Sequence, residues 1–359
     1  MTKIGIVTGG GDCPGLNTVI RAVAKAAAQR GWETVGILGG FDGLLEPAQT
    51  LALDYNATSG LLTRGGTILG TANRGRFSAK TGHGDTRQLP RELLDGARAG
   101  MQTLGLHALV SIGGDGSLTI AQQLHEHGIP VVGVPKTIDN DLHGTILTFG
   151  FDSAVSCATD ALDRLHTTAE SHQRVLVLEV MGRYAGWIAL YSGIAGGADV
   201  VLIPEIPFSY ESICAKISER AAKGKHFTLV VVAEGAREKD ADFITSTGGE
   251  ANREARLGGI GAVVTAEIEK RTGKEARTCV LGHLQRGGSP TTFDRTLCSM
   301  FGAHAVDLIA AGDFGKMVGF VGPSVGAVPI SEAIGRLKTV PPDGGLARTA
   351  RSLGISLGD

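Results

Sequence analysis

The sequence predicts an α/β protein made of two doubly wound, mostly parallel-sheet lobes, and three observations lead there. Short β-branched apolar runs alternate with stretches of helical periodicity, the pattern of a parallel sheet covered on both faces. At 359 residues the chain exceeds the ~250–300 residues at which a single hydrophobic core stops growing. Its 54 glycines, about twice the usual ~7% usage, fall in turns and not in any low-complexity tract.

Each element follows in order. KIGIVTGG is a short apolar run ending in glycines. LNTVIRAVAKAAAQRG then places Leu16, Val19, Ile20, Val23 and Ala27 at helical spacing and stops at Gly31. TVGILGG reads as a second strand, completing a β-turn-α-β unit. The pattern returns in ALVSIGG, a helix near SLTIAQQLHEHG, and PVVGVP, and later in VLVLEV, VVLIPE and TLVVVAE. No internal repeat or Pro- or Ser-rich linker divides the lobes. The stretch 236–258, AREKDADFITSTGGEANREARLG, is polar and without a clean period, and reads as a long surface excursion.

Composition narrows the function. Hydrophobic residues at 42% and charged residues at 19% describe an ordinary soluble globular protein. A formal net charge of -2 supplies no basic field for nucleic acid or an anionic membrane. No run of about 18 apolar residues is present, and MTKIGIVTGGGDC breaks into glycines too early for a signal-peptide core, so a cytoplasmic location is expected. Cys13, Cys157, Cys214, Cys279 and Cys298 are scattered, odd in number and never spaced CxxC, which argues against a disulfide framework or a zinc site.

Parallel sheets bind ligands at the carboxyl ends of their strands, where turns open onto helix N-termini that favour anions. Three turns of this chain sit at such points. GGGDCPG (9–15) could approach a phosphate closely or serve as a bare structural turn; it is neither a Walker A loop nor GxGxxG. GGDGS (113–117) adds Asp115, suited to Mg2+ or to capping the following helix. PKTIDND (135–141) carries Asp139 and Asp141, which share a side if the segment is extended.

With RGGTILGT (64–71), SHQR (171–174), MGR (181–183) and LGHLQRGGSP (281–290), these turns resemble, in order, the motifs of the 6-phosphofructokinase family over roughly residues 4–320. The resemblance implies Mg2+-dependent phosphoryl transfer to the 1-hydroxyl of fructose 6-phosphate, in a cleft between the lobes. It implies a donor lobe of residues 1–150 plus about 285–335, and a fructose 6-phosphate lobe of 151–284 plus about 336–359. Asp139 matches the catalytic base, with Thr137 and Asp141 at the transferred phosphoryl group and the sugar. Asp115 matches the metal ligand, and Gly11, Gly116 and Ser117 fall to the donor. Met181, Gly182, Arg183, Glu234, His283 and Arg286 match sugar-phosphate contacts. Arg183 is also grouped with Asp139 and Thr137 as catalytic. Arg174 and Arg277 match positions that reach across from a neighbouring subunit, which implies a homodimer or homotetramer.

Two positions speak to the donor. The residue after GGD is glycine in ATP-using members and aspartate in pyrophosphate users, and Gly116 leaves open the space an α-phosphate must cross. Lys136 points the other way, being typical of pyrophosphate enzymes, although some ATP-using members combine the two. ATP is therefore expected, with pyrophosphate the alternative. Where the family's ATP enzymes carry a phosphate-bridging arginine this chain has Asn73, followed by Arg74. A non-catalytic sugar-phosphate sensor would need a crippled base, yet Asp139 is present. A nicotinamide dehydrogenase is opposed by the missing GxGxxG.

Overall fold

The computed structural model of the chain describes residues 1–72, 75–79, 86–247 and 256–359. In chain order its first part runs β1 (Lys3–Thr8), α1 (Leu16–Gln29), β2 (Glu33–Ile37), β3 (Thr50–Ala52), α2 (Tyr55–Thr58), α3 (Arg91–Thr103), β4 (Ala108–Gly113), α4 (Asp115–Glu126) and β5 (Val131–Pro135). The middle follows with α5 (Phe151–His172), β6 (Val175–Val180), α6 (Trp187–Ala195), β7 (Val200–Leu202), α7 (Tyr210–Ala222) and β8 (Thr228–Ala233). Next come β9 (Thr245–Thr247), β10 (Arg256–Leu257), α8 (Ile260–Thr272) and β11 (Ala276–Val280). The chain closes with α9 (Thr292–Ala311), β12 (Lys316–Phe320), β13 (Val325–Pro329), α10 (Ile330–Ala333) and α11 (Gly345–Ser352).

Two compact units result, both discontinuous in sequence. The first comprises Met1–Ile138, Leu142–Ser153 and Arg286–Leu337, and the second Asp139–Asp141, Ala154–Gln285 and Lys338–Asp359.

The first unit is built on a seven-stranded sheet in the order β13-β12-β5-β4-β1-β2-β3. Its interior strands are parallel, and β13 and β3 close the edges antiparallel. Val7, Ile37, Leu109 and Val131 of these strands pack with Met101 of α3 and Leu118 and Leu124 of α4 in one core. Asp294 of α9 accepts from the Gly150 and Ser153 backbone N–H groups at 3.0 and 2.9 Å, satisfying donors at the start of α5. Burial pushes this carboxyl up to about 6, against those hydrogen bonds.

The second unit carries a four-stranded sheet, β11-β6-β8-β7, parallel throughout. Val175, Val177, Val200, Leu202, Val230 and Val232 form its core with Ile213 and Ile217 of α7 and Val264 and Ile268 of α8. The 236–258 excursion is not plain loop, because β9 and β10 pair antiparallel within it. Such strands are too short to show alternation, so their pairing leaves no sequence signal. Among the described residues no helix is long and apolar enough to cross a membrane.

Candidate active site

In the first unit β1, β4 and β5 are parallel neighbours, so the turns that leave their carboxyl ends lie side by side. Gly9 N–H donates to the Ile112 carbonyl at 3.0 Å, and Lys136 N–H to the Gly113 carbonyl at 3.0 Å. Contact between the turns requires glycine: a Cβ on Gly9 would lie 2.4 Å from Ser117 Oγ, and one on Gly113 2.2 Å from Ser117 Cβ. Ser117 is buried in that notch, in the first turn of α4.

Gly114, not Asp115, occupies the N-cap of α4, so Asp115 is the first helical residue and the capping alternative fails. Its carboxylate is half-buried at the positive end of the helix. Among the described residues no group of three or more His, Cys, Asp or Glu side chains could hold a metal by itself. A lone carboxylate beside a helix N-terminus fits magnesium, which could fill its remaining shell with phosphate and water.

Lys136 is buried and its ammonium donates to the Gly11 carbonyl. The Thr71 hydroxyl, at the end of RGGTILGT, donates to the Gly10 carbonyl. Arg286, expected at the sugar phosphate, is a residue of the first unit. Its guanidinium donates to the Asp12 carbonyl at 3.1 Å and flanks Gly11. Beside these turns a small cavity has Gly9, Phe41, Asp42, Phe77, Ser117 and Ile120 in its lining, with the two phenylalanine rings 5.9 Å apart. A Cβ on Gly116 would meet nothing within 4 Å. Phe41 and Phe77 carry no signal of their own in the sequence, because aromatics so spaced look like core. Asn73 and Arg74 lie outside the described residues.

The second unit assembles its candidates at the carboxyl ends of β6, β8 and β11. β6 leads into Met181, Gly182 and Arg183, β8 into Glu234, and β11 into the turn holding His283. Glu234 N–H donates to the Val180 carbonyl at 2.8 Å, and its Oε1 accepts from the Arg183 N–H at 3.0 Å. Arg183 has a φ of 50°, a left-handed conformation that this hydrogen bond helps to hold. Its side chain is exposed, as is His283. Burial and then the Asp139 charge push the Glu234 carboxyl up to about 7, against the Arg183 N–H and guanidinium.

Asp139 and Asn140 are buried and Asp141 half-buried. Thr137, buried in the first unit, has its carbonyl held by the Thr148 hydroxyl at 2.7 Å. Arg174 and Arg277 are not brought to Glu234 and Arg183. Arg174 precedes β6 and Arg277 is second in β11, at the opposite, amino end of the same parallel sheet. Both are paired with carboxylates of their own chain, Arg174 with Glu275 at 2.7 Å and Arg277 with Glu275 at 2.5 Å and Glu269 at 3.1 Å.

A family profile described as Phosphofructokinase matches residues 3–309. The ATP-dependent 6-phosphofructokinase of Chloroflexus aurantiacus is 52% identical over 357 residues, covering 99% of this chain and 98% of that protein. The pyrophosphate--fructose 6-phosphate 1-phosphotransferase of Streptomyces coelicolor is 51% identical over 343 residues, covering 95% and 96%. Among solved structures, phosphofructokinase from Saccharomyces cerevisiae superposes with a TM-score of 0.81 at 28% identity, over 100% of this chain and 48% of that one.

Proposed function

The chain belongs to the phosphofructokinase family, and from that premise we propose that it transfers the γ-phosphoryl group of ATP to the 1-hydroxyl of fructose 6-phosphate, giving fructose 1,6-bisphosphate and ADP. The first unit would bind the donor. Gly11 offers backbone to the terminal phosphate, Ser117 and the first turn of α4 favour anionic oxygens, and Lys136 and Arg286 add positive charge beside the same loop. Asp115 would hold Mg2+ together with the donor phosphates, and the bound ion would supply charge neutralisation there.

The second unit would bind the sugar phosphate through Met181, Gly182, Arg183, Glu234 and His283. Asp139 takes the proton of the 1-hydroxyl as that oxygen attacks phosphorus, while Thr137, Asp141 and Arg183 orient the transferred group and the sugar. Catalysis of this kind is mainly positioning and charge neutralisation, which buried, backbone-anchored side chains supply.

The observation that carries ATP over pyrophosphate is Gly116. A Cβ placed there would meet nothing within 4 Å, which leaves room beside the turn for a nucleotide donor to pass. Pyrophosphate remains the second reading because Lys136 reaches the Gly11 carbonyl, where it could meet a short donor. A coupled assay with fructose 6-phosphate and Mg2+, run with each donor in parallel, decides. The expected result is a kcat/KM at least about tenfold higher with ATP, a difference of ~1.4 kcal/mol; the reverse preference assigns the chain to pyrophosphate.

A further inference from the structure

Asp139, Asn140 and Asp141 group with the second unit, whereas Ile138 and Leu142 on either side group with the first. Within the second unit, the segment that starts at Lys338 meets these three residues. The Lys338 ammonium donates to Asn140 Oδ1 at 2.8 Å, and its backbone N–H donates to the Asp141 carbonyl at 2.8 Å. Asn140 has a φ of 52°, in the left-handed region that L side chains rarely adopt. At 2% exposure, it has little solvent to replace that partner.

The segment is anchored at its other side. The Trp187 indole N–H donates to the Lys338 carbonyl at 2.8 Å, with the ring centroid 5.9 Å from the ammonium. Two residues on, Val340 is fully buried and its N–H donates to Glu205 at 2.7 Å. The Glu205 carboxylate also accepts from Gly186, at the start of α6. A tether can restrain a loop only if its own base is fixed, and this one is.

We propose that Lys338 is a positioning residue for phosphoryl transfer: it locks Asn140 in its left-handed turn and so aims the adjacent Asp139 carboxylate at the hydroxyl of the acceptor sugar. The inference rests on Asp139 as the base. Residue 338 lies beyond the stretch matched by the family profile, so its role is not inherited from those motifs. Burial brings the Lys338 ammonium down to about 8 while the Asp141 charge opposes the change. Asp141 is the charged neighbour from the loop, and Asn140 and Trp187 are neutral. Above that pH the tether loses its charge, which a guanidinium would retain.

The test compares the parent chain with Lys338→Met, Lys338→Arg, Asn140→Gly and the Met/Gly double variant, using thermal melts and coupled assays at saturating donor. Lys338→Met should lower kcat about tenfold or more with KM for fructose 6-phosphate within about threefold, the signature of misaim and not of lost binding. Lys338→Arg should recover most of kcat and lack the parent's decline above pH 8. Asn140→Gly keeps the turn without the anchor and should match Lys338→Met, with the double variant no slower than either single change. Multiplying losses, or a Lys338→Met kcat within about twofold of the parent, overturn the proposal. Should Lys338→Met fail to fold, Asn140→Gly decides, and parental kcat there overturns it. A parent chain inactive with both ATP and pyrophosphate would instead remove the proposed function itself.

Discussion

Glu234 holds its proton up to about pH 7, because burial penalises the anion and the Asp139 charge adds to that penalty. Between its ordinary value of 4.5 and about 7, the unfolded chain has released a proton that the folded chain retains. The stability Glu234 contributes is therefore complete below about 4.5 and is lost as pH rises through about 7. Glu234→Gln, which keeps an acceptor for the Arg183 N–H, should gain Tm relative to the parent by a few degrees between pH 5 and pH 8, on the order of 1.4 kcal/mol per relieved pH unit. A Tm difference constant over that range would remove Glu234 as the titrating group. Asp139→Asn should lower kcat by at least ~10²-fold, the lower end of general base catalysis. The same change should bring the Glu234 carboxyl down toward 4.5, because it deletes the second cause of its shift. Asp139 is singled out in the sequence by the motif PKTIDND. The tuning of Glu234 is not, since the Asp139 charge acts on Glu234 only once the chain has folded.

At the scale of elements, β4, its glycine turn and α4 work as one device. Gly113→Ala would drive a methyl group into Ser117 and should destabilise the protein by ~1–3 kcal/mol, as overpacking does. Adding Ser117→Gly removes the two atoms it would overlap and leaves only the Gly9 carbonyl at 3.4 Å, and thermal melts should show much of the loss returned; no recovery would mean that the backbone, not Ser117, sets the close packing. Gly116→Asp tests the donor at the next turn of the same device. An acid in the first turn of α4 suits the helix dipole, so Tm should hold while KM for ATP rises about tenfold or more through charge repulsion. An unchanged KM would detach residue 116 from donor choice. These elements are readable because their apolar runs are long: VLVLEV is β6 residue for residue, and ALVSIGG differs from β4 by its last glycine. The antiparallel edges β3 and β13 are not readable, because an edge strand is defined by the partner it pairs with, and TLA and VGAVP carry little alternation of their own.

For the whole molecule, the proposal that a second copy of the chain completes the site rests on two arginines. Arg174 stands just before β6 and Arg277 within β11, at the amino end of a parallel sheet whose carboxyl end presents Arg183 and Glu234, so both lie away from those two residues. Glu269 pairs with Arg277, and Glu275 pairs with both arginines. The motif resemblance names both residues, whereas the Glu275 carboxylate they share is visible only after β6 and β11 pair. If each reaches a neighbour, two defective chains should repair one another. Asp139→Asn leaves the arginines intact, and Arg277→Ala leaves the base intact. Co-expressed in equal amounts and assayed at limiting fructose 6-phosphate, a randomly mixed dimer should regain about a quarter of the parental activity, because half the pairs are hybrid and each hybrid holds one whole site. Activity no greater than the sum of the two variants alone would place Arg277 at the site of its own chain, or at none.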